Sequence, residues 1–309
     1  VTLIFFFSFF WNASLPQFEA VTMNTLGSSY NKYSQIRLWG SLGFILSVLT
    51  LSVLTSNLGI KIIPYCILLF LFLTWISTIF VKKTKDILKK DATSLLSTVL
   101  KPAVLGILLS CFLMQLSHGP FYAFFAIYLT ENSYSTNAIG IIWSLGVIAE
   151  ILIFMKISSW IPKYGLKNLF VISFLFAVFR WLLISLFPQN LAIVILATLF
   201  HAITYGMYHA VSISLIHEYF TGILQGRGQA LYSSVSFGLG GSLGSFYSGY
   251  LWEQVGGSTV FLYAGLFAFL GFIVSFILVK SRNKSYIKIY RYGDEIKIKL
   301  IIKKNKILD

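Results

Sequence analysis

The sequence predicts an all-α, polytopic membrane protein built as a bundle of helices. Apolar residues occupy 57% of the 309 positions, charged residues only 11%, and the mean hydropathy is +0.81. A soluble domain carries about 25% charged residues, so this chain has too little charge to cover a water-facing surface. Apolar runs of about 20 residues, the length that spans a bilayer as a helix, recur along the chain.

Nine such runs predict nine transmembrane helices. Each run is continuously apolar, whereas barrel strands alternate polar with apolar residues and are about half as long. A helix also satisfies its own backbone hydrogen bonds, as lipid requires. The predicted spans lie near residues 1–24, 36–57, 61–81, 103–130, 138–158, 168–187, 191–216, 229–252 and 258–280.

The basic residues predict the orientation, because cytoplasmic loops of membrane proteins are enriched in lysine and arginine. If the first span runs from outside to inside, 21 of the 24 basic residues fall on the inner side. We therefore expect a cytoplasmic C-terminus, and we expect the membrane to be a bacterial-type plasma (inner) membrane. Inner loops facing anionic lipid explain the net charge of +14, and no nucleic-acid partner is needed.

One hydrophilic stretch, KKTKDILKKDATSLLSTVLK, separates three spans from six. We expect three helices of a first half-bundle over residues 1–81 and a cytoplasmic central loop over 82–101. A six-helix half-bundle then covers 102–280, and a basic cytoplasmic tail covers 281–309. Three interpretations of the tail stay open: a lipid-binding helix, a short hairpin and a solvated segment.

Ionisable residues at membrane depth cost roughly 2.5–3.5 kcal/mol each on insertion scales, so they indicate function. Glu19 and Arg37 are 18 residues apart around the turn LGSSYNK, and Glu150 and Arg180 are placed alike around PKYGLKN. Both sets therefore lie at matched depth on neighbouring helices, which predicts two buried Glu/Arg pairs. The alternative to a functional role is that the acid and the arginine of each pair only neutralise each other. The remaining intramembrane ionisable residues are histidines: His118, His201 and His209.

The stretch LFHAITYGMYHA places two of these histidines on one stripe of a helix, with Tyr205 between His201 and His209. Histidine changes charge near neutral pH, so the stripe suits proton transfer. The alternative is a pair of hydrogen-bonded core residues. Phe121 and Tyr122 follow a proline in SHGPFYAFF and either line a cavity or face lipid. Gly240 and Gly244 form a small-xxx-small step that allows close helix approach.

Several of these stretches resemble the major facilitator superfamily, in the proton-symporter branch of lactose permease-like and phenylpropionate permease-like proteins. PQFEAVTMNTLGSSYNKYSQIRLWGSLGF is similar to the fourth and fifth helices of that branch, and YGLKNLFVISFLFAVFR to the start of the ninth. FHAITYGMYHA and GRGQALYSSVSFGLGGSLG resemble the phenylpropionate-permease type. The resemblance covers about residues 10–280 and implies the major facilitator fold. That fold has twelve helices, so the chain would lack the first three and begin at the fourth.

Site residues are also implied by the resemblance. Glu19 and Arg37 occupy positions that contact substrate in that branch, and Arg180 matches a buried arginine. Two departures matter. Thr204 stands where the sugar permease has its coupling carboxylate, three residues after the buried histidine. Glu150 lies about one turn from that permease's eighth-helix acid.

Together these observations predict a secondary active transporter, not an enzyme, working by proton-coupled symport and alternating access. An aromatic carboxylate such as phenylpropionate is the favoured substrate. A sugar or nucleoside symporter and a non-transporting truncated membrane protein remain alternatives. We expect a monomer with no cofactor or metal, driven by the proton gradient. Predicted substrate-binding residues are Glu19, Arg37, Phe121 and Tyr122; predicted proton-coupling residues are Glu150, Arg180, His201, Tyr205 and His209.

Overall fold

A computed structural model describes residues 17–27, 32–80, 94–281, 283–292 and 295–304. The described chain before residue 81 forms helices α1 (17–26), α2 (Tyr33–Leu58) and α3 (Ile63–Ile79), the last preceded by a 3₁₀ turn at Ile60–Ile62. We call these three helices the first group. The first 16 residues of the first predicted span, and most of the predicted central loop, lie outside the described residues.

A short helix, α4 (Leu95–Val99), leads into six long helical stretches, which we call the second group. These are α5 (Pro102–Glu131), α6 (Thr136–Tyr164), α7 (Leu166–Leu186), α8 (Leu191–Tyr219), α9 (225–255) and α10 (257–278). The all-α helix bundle is thus confirmed, and nine helices of the described chain correspond to the nine predicted spans.

Five helical segments of the described chain are long and apolar enough to cross a membrane. One of them, Gly222–Leu278, has 57 residues and would be about 85 Å long if straight. It bends at Gly256, where φ is +78°, and so makes two crossings, α9 and α10. The conformation at Gly256 suits glycine because a Cβ atom disfavours positive φ.

The ends of the helices differ from the predicted spans by a few residues. The largest difference is in α6, which was expected near 138–158 and continues to Tyr164. The apolar run ends earlier because Lys156 and Lys163 lie in the last turns, but the backbone stays helical until Gly165, where φ is +77°. Hydropathy marks the lipid-facing length and misses the helical extension beyond it.

The second group has a dense core, and the first does not. Helix α5 buries most of its length, and its Phe125 packs against Phe261, which also packs against Trp181; all three rings are fully buried. By contrast, α3 is the most apolar long helix of the first group, and none of its residues is buried. A helix that is apolar on all sides is suited to lipid or to other membrane helices.

Two glycines of α9 bring it against α5, as the small-xxx-small step predicts. A Cβ atom added at Gly244 would lie 2.7 Å from the Leu116 carbonyl oxygen, and one at Gly240 would lie 2.6 Å from that of Phe112. A Cβ at Gly119 of α5 would lie 2.1 Å from the Gly244 carbonyl carbon. These backbones therefore touch only because side chains are missing at the crossing.

The tail forms an antiparallel hairpin, β1 (Asn283–Tyr292) and β2 (Glu295–Lys304), in which Asn283 pairs with Lys304 and Tyr292 with Glu295. Of the three interpretations of the tail, the structure favours the hairpin. It adds two strands outside the helix bundle.

Candidate functional site

A cavity of about 450 Å³ lies between the two groups of helices. Its walls come from α2, α5, α6, α8 and α9 and combine two oppositely charged side chains with five aromatic rings and a histidine. The lining residues are Arg37, Gly40, Ser41, Phe44, Tyr122, Trp143, Val147, Glu150, His201, Tyr205 and Phe237. Concave sites of this size, mostly apolar with a few polar groups, are typical of small-molecule binding.

Arg37 provides the positive charge of the cavity. A glycine three residues later makes room for it, since a Cβ at Gly40 would lie 2.3 Å from Arg37 Nη1. The buried Nε of Arg37 has no hydrogen-bond partner among the described residues. The charges of Glu19 and Glu150 both act on the guanidinium, yet neither carboxylate forms an ion pair with it within 4.0 Å.

Glu150 provides the negative charge and links the two groups. The Ser41 hydroxyl of α2 donates a 2.8 Å hydrogen bond to Glu150 Oε1. The other oxygen, Oε2, lies 4.0 Å from His201 Nε2. Helix α8 comes this close because residue 206 is a glycine, where a Cβ would lie 2.9 Å from Glu150 Cγ.

Glu19 pairs with a histidine of the other group. His209 Nε2 lies 3.0 Å from Glu19 Oε1, and both side chains are almost fully buried. The hydroxyl of Tyr33 donates to the same oxygen at 3.0 Å, and the Tyr232 hydroxyl lies 3.1 Å from His209 Nδ1. This contact joins α1 and α2 to α8 and α9.

His201, Tyr205 and His209 form a stack of three rings, which we call the ring ladder. The planes of His201 and Tyr205 are 3° apart and those of Tyr205 and His209 are 6° apart. In an α-helix, residues eight apart differ by about 80° around the axis. Here residues Ala202–Met207 are π-helical, with less rotation per residue, which brings the three rings into line.

Arg180 lies behind the cavity wall and is fully buried. Its Nη1 is 3.2 Å from His118 Nε2, 3.1 Å from His201 Nδ1 and 3.1 Å from Thr204 Oγ1. The rings of Phe121 and Trp181 flank its guanidinium at 4.1 and 4.3 Å. Nε and Nη2 have no hydrogen-bond partner among the described residues.

The two predicted Glu/Arg pairs are wrong. Within the described chain there are two ion pairs of 4.0 Å or less: Glu19 with His209, and Glu150 with His201. Each carboxylate contacts a histidine of the ring ladder, and neither arginine has a carboxylate partner. Arg180 contacts the buried hydroxyl of Thr204, at the position where the resembling sugar permease carries its acid.

The remaining predicted residues divide between two places. Tyr122 lines the cavity, whereas Phe121 is buried against Arg180 and does not line it. Tyr205 both lines the cavity and separates the histidines. The structure thus brings all nine predicted residues into one connected region, with Phe121 and Arg180 behind its wall.

Other residues of the region were not predicted from the sequence. They are the cavity residues Gly40, Ser41, Phe44, Trp143, Val147 and Phe237, the His209 partners Tyr33 and Tyr232, and the Arg180 contacts His118 and Thr204. His118 carried a signal, since it is an ionisable residue at membrane depth. The aromatic residues carried none, because tyrosine, tryptophan and phenylalanine are common throughout this chain.

Comparison with known proteins agrees with this architecture. The profile of the MFS_1 like family matches residues 1–263. The chain is 25% identical over 285 residues to the uncharacterized transporter YwbF of Bacillus subtilis, covering 91% of this chain and 70% of that protein. It is 27% identical over 266 residues to a probable 3-phenylpropionic acid transporter of Escherichia coli, covering 81% and 66%.

A third relative is a maltose permease of Geobacillus stearothermophilus, 24% identical over 288 residues, with 91% of this chain and 71% of that protein covered. The chain therefore spans about two thirds or slightly more of the length of these relatives. All three relatives are named as transporters or permeases, and none as an enzyme. The resemblance noted in the sequence is confirmed: this multi-pass membrane protein belongs to the MFS_1 like family of major facilitator superfamily transporters.

Proposed function

We propose that the protein is a proton-coupled symporter of a small organic carboxylate, with an aromatic acid such as 3-phenylpropionate as the favoured substrate. One observation carries this proposal: Arg37 lines an aromatic cavity and has no carboxylate within 4.0 Å among the residues that the structure describes. Glu19, the acid predicted to neutralise it, is engaged by His209 instead. The guanidinium is left to meet a ligand.

The chemistry of the anchor favours a carboxylate. A guanidinium presents parallel N–H donors that match the two oxygens of a carboxylate, and such charge-assisted bonds are about twice as strong as neutral ones. In a cavity partly shielded from bulk water the attraction is larger than at a fully exposed surface. A neutral ligand would leave Arg37 without a carboxylate in direct contact.

The walls favour an aromatic body on that carboxylate. Five rings line the cavity: Phe44, Tyr122, Trp143, Tyr205 and Phe237. Ring pairs gain about 0.5–1.5 kcal/mol beyond simple area burial when they stack offset or edge to face. The volume of about 450 Å³ accommodates a phenyl ring with a short acid chain. The name of the Escherichia coli relative, probable 3-phenylpropionic acid transporter, agrees with this substrate class.

Transport would proceed by alternating access between the two groups. The first group corresponds to the last three helices of an N-terminal half-bundle and the second to the C-terminal half-bundle. Ser34 to Ser158, at 2.9 Å, and Ser41 to Glu150 hold α2 against α6 on one side of the cavity. We place this protein, as a monomer, in a bacterial plasma membrane, with its C-terminus and basic loops on the cytoplasmic side against anionic lipid.

A sugar is the second candidate substrate, because one relative is named a maltose permease. Glu150 and Ser41 at the cavity wall supply acceptors and a hydroxyl of the kind that bind sugars. The unpaired Arg37 favours the carboxylate over the sugar.

Solute counterflow in proteoliposomes separates these candidates. Vesicles loaded with unlabelled 3-phenylpropionate take up the labelled acid, and parallel vesicles test 3-phenylpropionamide, maltose and a nucleoside. We expect exchange of the acid alone. Exchange of maltose but not the acid would establish the sugar. No exchange of any of the four would overturn the proposal and favour a non-transporting protein.

A further inference from the structure

The two histidines of the ring ladder lie in different hydrogen-bonding environments, and the difference identifies the one that binds a proton. His201 faces a cation at one nitrogen, whereas His209 faces a carboxylate and two hydroxyls. Because backbone carbonyls only accept and guanidinium groups only donate, the protonation of each ring follows from its partners.

His118 fixes the first step. Its Nδ1 lies 2.9 Å from the Met114 carbonyl oxygen, which can only accept, so Nδ1 carries the proton. In the neutral ring Nε2 is then an acceptor, and it receives the Arg180 Nη1 donor at 3.2 Å. A second proton, on Nε2, would point at the N–H donor of Arg180 and would place a charged ring next to the charged guanidinium.

His201 is constrained in the same way. Its Nδ1 lies 3.1 Å from Arg180 Nη1, so Nδ1 accepts and the ring proton is on Nε2. That Nε2–H is the one that faces Glu150 Oε2 across 4.0 Å. A second proton on Nδ1 would remove an acceptor of Arg180 and place two buried cations in contact. Arg180 therefore keeps His201 neutral.

His209 has no such constraint. Its Nε2–H donates to Glu19 Oε1, and Nδ1 faces the Tyr232 hydroxyl at 3.1 Å. A hydroxyl both donates and accepts, so Nδ1 either accepts from Tyr232 as a neutral ring or donates to it as an imidazolium. Its other neighbours are Tyr33 of α2, Tyr205 of α8 and the ring of Phe237 in α9. The charged group that touches His209 is the carboxylate of Glu19.

The charges of the region show what such a proton would do. With Glu19 and Glu150 ionised, the two carboxylates balance Arg37 and Arg180, and the region has no net charge. A substrate carboxylate at Arg37 adds one negative charge. Net charge in a buried region of low dielectric is unfavourable, so the bound acid favours a proton on His209, which restores neutrality.

We propose that His209 Nδ1 is the proton-binding atom, that Glu19 stabilises its imidazolium form, and that one proton binds there with each substrate carboxylate. His201 stays neutral throughout and positions Arg180 and Glu150. This proposal rests on the proposed carboxylate transport. It also assigns Glu19 to proton binding, where the sequence predicts substrate contact.

Solid-state ¹⁵N NMR of the histidine-labelled 309-residue protein in lipid bilayers tests the assignment, since nitrogen shifts separate the imidazolium from both neutral tautomers. Signals are assigned with His209→Gln and His201→Gln, and His118 and His217 serve as internal references. We expect neutral His118 with the proton on Nδ1 and neutral His201 with the proton on Nε2. On addition of 3-phenylpropionate, His209 becomes imidazolium at a pH at which the ligand-free protein holds it neutral. A His201 that gains charge, or a His209 that does not respond to bound ligand, would overturn the proposal.

Transport by the same variants provides the second arm. His209→Gln should slow counterflow of the acid, remove the pH dependence of that counterflow and abolish accumulation driven by a pH gradient. His201→Gln changes the cavity wall and should also slow counterflow, but it should keep the pH dependence and the gradient-driven accumulation. The reverse pattern would contradict the assignment. If the wild-type protein does not exchange the acid, the proposed function fails; the pH titration of the histidine signals still tests the assigned tautomers by itself.

Discussion

The two ends of the ring ladder are built from different parts of the molecule. Around His201, the charged and histidine neighbours in the described chain belong to the second group: Arg180 of α7, His118 of α5 and Glu150 of α6. Around His209, Glu19 and Tyr33 come from the first group, and Tyr232 from the second. A charge change at His201 would act first on side chains of the second group, whereas one at His209 would act directly on a contact between the two groups. This difference supports our proposal that the proton binds at His209, the end shared by both groups.

Arg37→Gln should have the largest effect on substrate affinity, because it removes the side chain that we propose binds the substrate carboxylate. Truncating one partner of a buried charge pair costs roughly 2–5 kcal/mol, or about 30- to several thousand-fold in affinity. We expect a loss of that size for 3-phenylpropionate in calorimetric titration and little change for 3-phenylpropionamide.

The exposed Arg227 is the matched control. Arg227→Gln removes the same charge from the surface and should leave affinity at the wild-type level. Equal losses for the acid and the amide with Arg37→Gln would mean that the arginine shapes the cavity and does not bind the carboxylate.

The next effect concerns pH. If one proton binds with each carboxylate, linkage requires the affinity to fall about tenfold per pH unit wherever the proton-binding site is empty in the ligand-free protein. Glu19→Gln removes a negative charge from that end, so the acid should bind without the extra proton and the dependence should become flat. A Glu19→Gln protein that retained the full slope would place the proton elsewhere.

The close packing of α5 against α9 can be tested by adding a methyl group where the two helices cross. Gly119→Ala forces a Cβ to within 2.1 Å of the α9 backbone, and overpacking of this kind costs about 1–3 kcal/mol. Thermal unfolding in detergent should show a lower melting temperature. Gly140→Ala in α6 is the control, because a Cβ there meets nothing within 4 Å. An unchanged Gly119→Ala protein would show that α5 and α9 separate easily.

Tyr205→Phe should have the smallest effect. It removes a hydroxyl from the cavity wall but keeps the ring between the two histidines, so the loss is at most that of one hydrogen bond to the ligand, about 0.5–1.5 kcal/mol. Acid affinity should fall by up to about tenfold with its pH dependence unchanged. Loss of the pH dependence in this variant would make Tyr205 part of the proton pathway.

The sequence predicted the helices and the depth of the charged residues but not the pairing of those residues. Matched depth follows from spacing around a turn, and it placed Glu19, Arg37, Glu150 and Arg180 in one region. Lateral position depends on helix rotation and on which helices are neighbours, and spacing carries neither. The π-helical segment Ala202–Met207 adds a rotation that a regular α-helical projection omits, so the sequence predicted a shared stripe for the histidines but not the stacked rings.

The partners of Arg180 show the same limit. The sequence showed that Thr204 stands where the resembling family carries an acid. It did not show the consequence, because only the positions of α5, α7 and α8 reveal that Arg180 contacts Thr204 and that its Nε and Nη2 have no hydrogen-bond partner among the described residues. Trp143 and Phe237 reach the cavity from α6 and α9. Aromatic rings also lie on the exposed surface of the helices, as at Trp39, Phe246 and Phe276, so composition could not select the rings that line the cavity.

The most direct test of the account is the number of protons taken up when the acid binds. Purified protein in weakly buffered solution with a pH-sensitive dye is mixed with saturating 3-phenylpropionate, and then with its amide, above the pH at which the free protein holds the proton. We predict the uptake of about one proton per bound acid and of none per bound amide. Binding of the acid without proton uptake would contradict it.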